Sequence, residues 1–89
     1  MVNPVIKKLV LDVLKPHEPP IDELTSKLAS LDGTDRVSIS LAEIGQSTES
    51  LKIIIDGSDI HIDSVRHSLE ELGAVIHSVD EVAVAKKRG

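Results

Sequence analysis

The 89-residue chain carries a formal net charge of −5 and contains no Phe, Trp, Tyr or Cys. Proteins bind single-stranded nucleic acid largely through aromatic faces and positive charge, so we expect no nucleic-acid partner. Without cysteine, a disulfide framework, a thiolate metal site and a cysteine nucleophile are all excluded. A chain of this length forms one small domain with a marginal core, for which oligomerisation is a common remedy.

Four segments rich in Val, Ile and Leu are predicted to be β-strands. They are Val5 to Leu14, Arg36 to Ile44, Leu51 to Asp56, and Ala74 to Ala85. Only the short segment "GQSTE" separates the second strand from the third, which predicts a β-hairpin.

Two segments between the strands repeat one helical pattern, "IDELTSKLASLDG" and "IDSVRHSLEELG". Each spaces four apolar residues by three, four and three positions, which places them on one side of an amphipathic helix. We expect Pro20 to begin the first helix, Ser58 or Asp59 to cap the second, and Gly33 and Gly73 to end them. The apolar residues are Ile21, Leu24, Leu28 and Leu31 in the first helix, and Ile62, Val65, Leu69 and Leu72 in the second.

The order β-α-β-β-α-β is that of the ferredoxin-like fold. We therefore predict one α+β domain over residues 1–89, with a four-stranded antiparallel sheet and both helices on one face. Residues 85–89, which end in "KKRG", are predicted to form a flexible basic tail.

The first strand is apolar on both of its faces, since Leu9 and Leu11 alternate with Ile6, Val10 and Leu14. Two helices on one face leave the other face of the sheet open. We expect this open face or an edge of the sheet to be buried against another copy, which predicts a homo-oligomer. The alternative explanation is imperfect alternation or a β-bulge.

In this topology one end of the sheet gathers the hinge "LKPHEPP", the hairpin and the start of the fourth strand. Candidate ligand-binding residues there are Lys15, His17, Glu18, Thr48 and Ser78, and candidate metal ligands are His17, Glu43, Glu49 and His77. Imidazole nitrogens with carboxylate oxygens suit a divalent ion such as Zn²⁺, Ni²⁺ or Mn²⁺. The alternative is that these are solvated loop and strand residues. The turns "DGTD" and "DGSD" at the other end are expected to serve as turns and helix caps.

No set of nucleophile, base and oxyanion donors is apparent, and no Gly-rich phosphate loop is present, so we expect a protein that is not an enzyme. No apolar stretch approaches the roughly 20 residues of a membrane span. The N-terminal segment also lacks the pattern of a signal peptide. The sequence therefore predicts a cytoplasmic protein with no membrane partner.

Three stretches carry a resemblance to a known family: "LDVLKPHEP" (Leu11 to Pro19), "LAEIGQSTESLKIIIDG" (Leu41 to Gly57) and "LGAVIHSVDEV" (Leu72 to Val82). Over nearly its whole length the chain resembles small archaeal proteins classed as a domain of unknown function. The resemblance implies a ferredoxin-like domain that assembles into ring-like homo-oligomers, with no assigned activity.

Together these observations predict a non-enzymatic oligomeric binding module. It would hold a divalent metal ion or a small polar metabolite at the sheet end described above, or between subunits. The alternative is a purely structural, ring-forming assembly protein without a ligand.

Overall fold

The computed structural model describes residues 3–86. Four strands and two helices follow one another in the predicted order, and the ferredoxin-like α+β fold is confirmed. The elements are β1 (Pro4–Pro16), α1 (Ile21–Ala29), β2 (Thr34–Ile44), β3 (Thr48–Ile60), α2 (Ile62–Glu71) and β4 (Val75–Lys86).

The sheet has the strand order β2-β3-β1-β4, and every neighbouring pair of strands is antiparallel. The central strands are β1 and β3, while β2 and β4 form the two edges. Residues directly opposite each other in an antiparallel pair project from the same face. The register between β1 and β3 sets Leu9 opposite Ile55 and Leu11 opposite Ile53, so these four side chains share a face.

The hydrophobic core lies between this face and the two helices. The helix residues predicted at the centres of the two apolar patterns are buried, and those at their ends are half-buried, as the spacing of three and four requires. We call this side of the sheet the helix-covered face and the other side the open face. Fully buried core residues are Leu9, Leu11, Val13, Leu51, Ile53 and Ile55 from the sheet, and Leu24, Leu28 and Leu69 from the helices.

The first helix begins where the prolines predict. The carbonyl of Pro20 accepts hydrogen bonds from the backbone N–H groups of Glu23 and Leu24, at 3.1 and 3.3 Å. The acidic residues Asp22 and Glu23 lie in the first turn, where the helix dipole favours negative charge.

The second helix begins later than predicted. Ser58 and Asp59 belong to β3, and the N-cap position of α2 is His61, whose side chain makes no capping hydrogen bond. The backbone N–H groups of Ser58 and Asp59 donate to the carbonyl of Gly33 at 3.0 and 3.2 Å. These hydrogen bonds hold the segment extended, so the predicted capping role for Ser58 or Asp59 is wrong.

Gly33 adopts a positive φ of 84° and lies against the backbone of Asp59. A Cβ atom at this position would overlap the Asp59 carbonyl, and the left-handed conformation is itself unfavourable for any other residue. Glycine is therefore required here by both backbone angle and space.

We expect Gly33→Ala to lower the free energy of unfolding by roughly 1–3 kcal/mol, the usual cost of a left-handed non-glycine residue. Gly45→Ala is the matched control, because φ at Gly45 is not positive and the nearest atom to its added Cβ would be the Thr48 carbonyl oxygen at 3.2 Å. Urea unfolding of both variants checks the expectation. Equal losses in the two variants would contradict it.

The strands are much longer than the helices. At about 3.3 Å per residue a strand of 13 residues spans about 43 Å, whereas a helix of 10 residues spans about 15 Å. The molecule is correspondingly elongated, at 49 × 22 × 17 Å. Two short helices cannot cover a sheet of this size, so apolar side chains stay exposed at its edges and ends. They are Leu14, Leu41, Ile44, Val75, Val79, Val82 and Val84.

The open face is not the continuous apolar surface that the first strand alone suggests. Lys8 lies opposite Asp56, and Asp12 lies opposite Lys52, so pairs of opposite charge flank the centre of this face. Val10 lies between them in β1 and is itself buried. Of the two surfaces considered for contact with another copy, the sheet edges are therefore the more apolar.

The end of the chain continues the sheet further than expected. Ala85 and Lys86 pair with Val5 and Pro4, so these two residues belong to β4 and not to a tail. The rest of the predicted tail, residues 87–89, lies outside the described residues. Within residues 3–86, neither helix is long and apolar enough to cross a membrane.

Candidate functional site

One end of the sheet brings the hinge after β1 against the start of β3. The last pairs in the β1–β3 register are Lys15 with Glu49 and Pro16 with Thr48. The hairpin between β2 and β3 and the first residues of β4 lie at the same end, as the topology predicts. We call this end the upper edge of the sheet.

Lys15 is the most unusual residue of the upper edge, because it is buried with only 1% of its surface exposed. Its Nζ lies 3.1 Å from Oε1 of Glu49. It also donates to the backbone carbonyls of Pro16 and His17, at 2.7 and 3.2 Å. An ammonium group has three donors, so the buried charge has one partner for each of them.

The burial of Lys15 follows from the two-residue period of β1. Leu9, Leu11 and Val13 all project into the core, and Lys15 is the next residue in this series. Its aliphatic stem continues the core, while its ammonium group reaches the carboxylate of Glu49 directly opposite. The alternation of the strand could therefore have identified Lys15 as a structural residue.

His17 connects the hinge to the hairpin through both of its ring nitrogens. Nδ1 lies 3.1 Å from Oε2 of Glu49, and Nε2 lies 3.1 Å from the carbonyl oxygen of Gln46. Only the protonated imidazolium donates from both nitrogens at once. The hydrogen bond to Glu49 and then the one to Gln46 raise the pKa of His17 above its ordinary value.

The same contacts stabilise Glu49 as a carboxylate. Its hydrogen bonds with His17 and then with Lys15 lower the pKa of Glu49. We call the arrangement of Lys15, His17, Glu49 and the Gln46 carbonyl the hinge latch, because it joins the β1–α1 hinge to the β2–β3 hairpin.

The latch predicts a specific dependence of stability on pH. The pKa of His17 is higher in the folded protein than its value near 6.5 in the unfolded chain. The contribution of His17 to the free energy of unfolding is therefore complete below about pH 6.5 and is lost as pH rises through the folded-state pKa. The pKa of Glu49 is lower in the folded protein than in the unfolded chain. The contribution of Glu49 to the free energy of unfolding is therefore complete above about pH 4.5 and is lost as pH falls through the folded-state pKa. Both contributions are present together between these limits.

We therefore expect the difference in unfolding free energy between the wild type and His17→Gln to be largest at about pH 5.5 and to shrink above pH 7. His67→Gln is the control, since His67 is 75% exposed and lies 3.8 Å from Glu71 on α2. Urea unfolding at a series of pH values measures both. A difference for His17→Gln that stays constant from pH 5 to pH 8 would contradict the latch.

The latch bears directly on the predicted metal site. Both nitrogens of His17 and both oxygens of Glu49 already have partners, and the buried ammonium of Lys15 would repel a cation at this position. Within residues 3–86 there is no group of three or more His, Cys, Asp or Glu residues that could hold a metal ion. The contacts of the latch therefore do not support a metal at this site.

The other two predicted metal ligands, Glu43 and His77, lie apart from the latch. Glu43 is opposite Ser50, whereas the next pair is Ile44 with Glu49, so Glu43 and Glu49 project from opposite faces. An extra residue in β2, between Leu41 and Glu43, causes this change of face. His77 is the extra residue of a β-bulge in β4 and is exposed. Within residues 3–86 of one chain, the four predicted ligands are therefore not brought together in one group.

The remaining candidate ligand-binding residues have separate environments. Glu18 is exposed in the hinge, before a cis peptide bond to Pro19. Thr48 is exposed, and its carbonyl accepts a hydrogen bond of 2.7 Å from the N–H of Gly45 in the hairpin. The hydroxyl of Ser78 donates to Asp80 at 2.7 Å.

A groove of about 320 Å³ lies beside the latch and was not predicted from the sequence. Its apolar part includes Leu14 and Val75, which face each other across β1 and β4 and are 36% and 61% exposed. The complete lining consists of Leu14, Lys15, Pro16, Thr48, Gly73 and Val75. Pairing across two strands that are distant in sequence forms this groove, so no local motif signals it.

The fold and the upper edge define a small ferredoxin-like α+β domain whose ionic contacts hold a hinge against a hairpin. The chain belongs to the family DUF211, described as "Uncharacterized ArCR", whose pattern it matches over residues 7–88. It is 45% identical over 82 residues to an uncharacterized protein, MJ0319, of the archaeon Methanocaldococcus jannaschii. That match covers 92% of this chain and 84% of the relative.

Proposed function

We propose that this protein is a non-enzymatic homo-oligomer whose subunits associate through apolar side chains that the two helices leave exposed. The supporting observation is the size of that exposure: Ile44 is 67%, Val75 61% and Val84 54% exposed. Large apolar side chains exposed along the edges of a sheet are typical of a contact with another chain. A closed ring, which the family resemblance implies, would bury such surface on every copy.

The chemistry of the titratable groups supports a non-enzymatic role. Catalytic acids and bases need a displaced pKa and access to a substrate. The pKa values of His17 and Glu49 are displaced, and their mutual hydrogen bond is the first cause of both shifts. A contact that joins two loops accounts for these shifts without a substrate.

Light scattering on the purified protein at micromolar concentration tests the oligomer. We expect a mass several times the chain mass of 9.6 kDa. A measured mass equal to that of one chain would contradict the proposal. The net charge of −5 supports the further expectation that added nucleic acid leaves this mass unchanged.

A second candidate function is the binding of a small molecule in the groove beside the latch, within the oligomer. The observation in its favour is the groove itself, which combines the apolar side chains of Leu14 and Val75 with the hydroxyl of Thr48. Such a lining suits a metabolite with an apolar body and few polar groups, rather than a divalent metal ion or a fully polar metabolite.

Thermal unfolding with a panel of metabolites tests this candidate, because a compound that binds the native state must raise the unfolding midpoint. We expect Val75→Trp, which fills the groove, to abolish the rise, while His77→Ala keeps it because His77 is not part of the groove lining. Mn²⁺ and Zn²⁺ are expected to leave the midpoint unchanged. If no compound raises the unfolding midpoint, the proposed small-molecule binding is overturned and the protein is a purely structural assembly.

A further inference from the structure

The two edges of the sheet are complementary in direction. Because neighbouring strands are antiparallel in the order β2-β3-β1-β4, the edge strands β2 and β4 run in opposite directions. If a second copy lies beside the first in the same orientation, its β4 is antiparallel to β2 of the first copy. The two strands can then pair as neighbouring strands do within one sheet. We propose that β2 of one copy pairs with β4 of the next to form a continuous sheet between subunits. This proposal rests on the oligomer proposed above.

The apolar side chains of β4 lie on the helix-covered face. Val79 is opposite Leu11, and Val82 is opposite Leu9, so both extend rows of the buried core to the edge. They are 43% and 48% exposed, so the helices leave both side chains partly uncovered. The β4 edge thus exposes apolar side chains that continue the rows of the core.

The β2 edge also exposes apolar side chains on the helix-covered face. Leu41 of β2 is opposite Leu51 of β3, which is fully buried, yet Leu41 itself is 43% exposed. Val37 and Ile39, which precede it on this face, are only partly buried against the core. Pairing β2 with β4 of another copy would place these side chains beside Val79 and Val82 and complete the row across the subunit boundary.

The open faces of the two edges avoid like charges when β2 pairs with β4. On β2 this face presents Arg36, Ser38 and Ser40, while on β4 it presents Ser78 and Glu81. With Leu41 beside Val79 and Ile39 beside Val82, Glu81 lies beside Ser40, so its carboxylate meets a small polar side chain and no acidic one. A pairing of β4 with β4 would instead set Glu81 and the neighbouring Asp80 near their own copies, and like charges across strands are destabilising.

Neither edge is blocked along its regular part. Proteins commonly protect edge strands with proline, inward charges or bulges. On β2 the residues Arg36 to Leu41 contain no proline and no bulge. On β4 the residues Glu81 to Lys86 contain no proline and no extra residue, although β1 has an extra residue opposite Ala83 and Val84. Both edges therefore offer backbone groups with which another strand can pair.

Blocking each edge separately tests the pairing. Val82→Glu puts a charge on the β4 edge, and Leu41→Glu does the same on the β2 edge at nearly equal exposure. Every contact in a head-to-tail assembly uses one edge of each kind. We expect each variant alone to have the mass of one chain and an equal mixture of the two to form a dimer and nothing larger. Ser26→Glu, on the exposed side of α1, is the control and keeps the wild-type mass.

Several results would overturn the pairing while leaving the oligomer proposal intact. One is an unchanged mass for both folded variants, which places the interface elsewhere. Another is a dimer of Leu41→Glu alone, which shows β4 pairing with β4, and a third is a mixture that stays monomeric. A monomeric wild type overturns the oligomer and this pairing together. Circular dichroism confirms that each variant is folded.

Cross-linking gives a second test that needs no destabilising charge, because the chain has no cysteine of its own. Ser38→Cys marks the open face of β2, and Glu81→Cys marks that of β4. With a short bis-maleimide reagent we expect covalent dimers in a mixture of the two variants and none in either variant alone. Dimers from one variant alone, or none from the mixture while light scattering shows an oligomer, would overturn the pairing.

Discussion

Replacement of Lys15 by alanine is expected to lower the free energy of unfolding by about 2–5 kcal/mol, the range for truncating a large buried side chain. Lys15 is 1% exposed, so its stem fills space in the core. Its removal also leaves the carbonyls of Pro16 and His17 and the carboxylate of Glu49 without their ammonium donor. Partly buried acceptors that lose a partner keep part of the cost of their desolvation.

Two further variants separate the causes of this loss. Lys15→Met keeps a stem of similar length and removes the charge, so we expect a loss smaller than that of Lys15→Ala. Lys52→Ala is the control for removing a lysine from a strand, because Lys52 is exposed on the open face of β3. Urea unfolding gives all three free energies. If Lys15→Ala costs no more than Lys52→Ala, then Lys15 is not the structural centre of the latch.

The second large effect is expected for Leu11→Ala, at the centre of the sheet. Leu11 is fully buried and lies between Ile53 of β3 and Val79 of β4. We expect a loss of about 2–5 kcal/mol, from lost apolar contact and from the cavity left behind. A domain of 89 residues has a total stability of roughly 4–13 kcal/mol, so this one change removes a large share of it. The unfolding midpoint should fall by about 4–8 °C for each kcal/mol lost.

Leu41→Ala is the matched control, since it makes the same chemical change at a side chain that is 43% exposed. In dilute protein we expect it to cost about 0.5 kcal/mol or less, as for other surface substitutions. If β2 pairs with β4 of another copy, the cost of Leu41→Ala must grow with protein concentration, because association stabilises the folded state by mass action. Equal losses for Leu11→Ala and Leu41→Ala in dilute protein would contradict the placement of the core.

The helices and the order of the elements follow from local patterns that the sequence shows directly. Leu24, Leu28, Val65 and Leu69 are buried because a period of 3.6 residues places them on one side of each helix. The bounds of β3 do not follow in this way. Its last residues contain a glycine, a serine and an aspartate that resemble a turn. Hydrogen bonds from Ser58 and Asp59 to Gly33, which is distant in sequence, help to keep this segment extended.

The features of the candidate site also divide into those that follow from the sequence and those that depend on tertiary structure. The topology places His17 and Glu49 at the same end of the sheet, because the end of β1 must lie against the start of β3. The role of Gln46 depends on the conformation of the hairpin, which presents its carbonyl to the imidazole. The face of Glu43 also depends on tertiary structure, because one extra residue in β2 reverses the side from which it projects.

The sequence by itself therefore determined the fold, the helix-packed core and the end of the sheet at which the polar residues meet, since each rests on periodicity and strand direction. Tertiary structure alone decided which of those residues touch, which acceptors the Lys15 ammonium group reaches, and that apolar surface lies at the sheet edges. The physical reason is that bulges, loop carbonyls and the mismatch between long strands and short helices depend on contacts between distant segments. No local pattern of residues encodes such contacts.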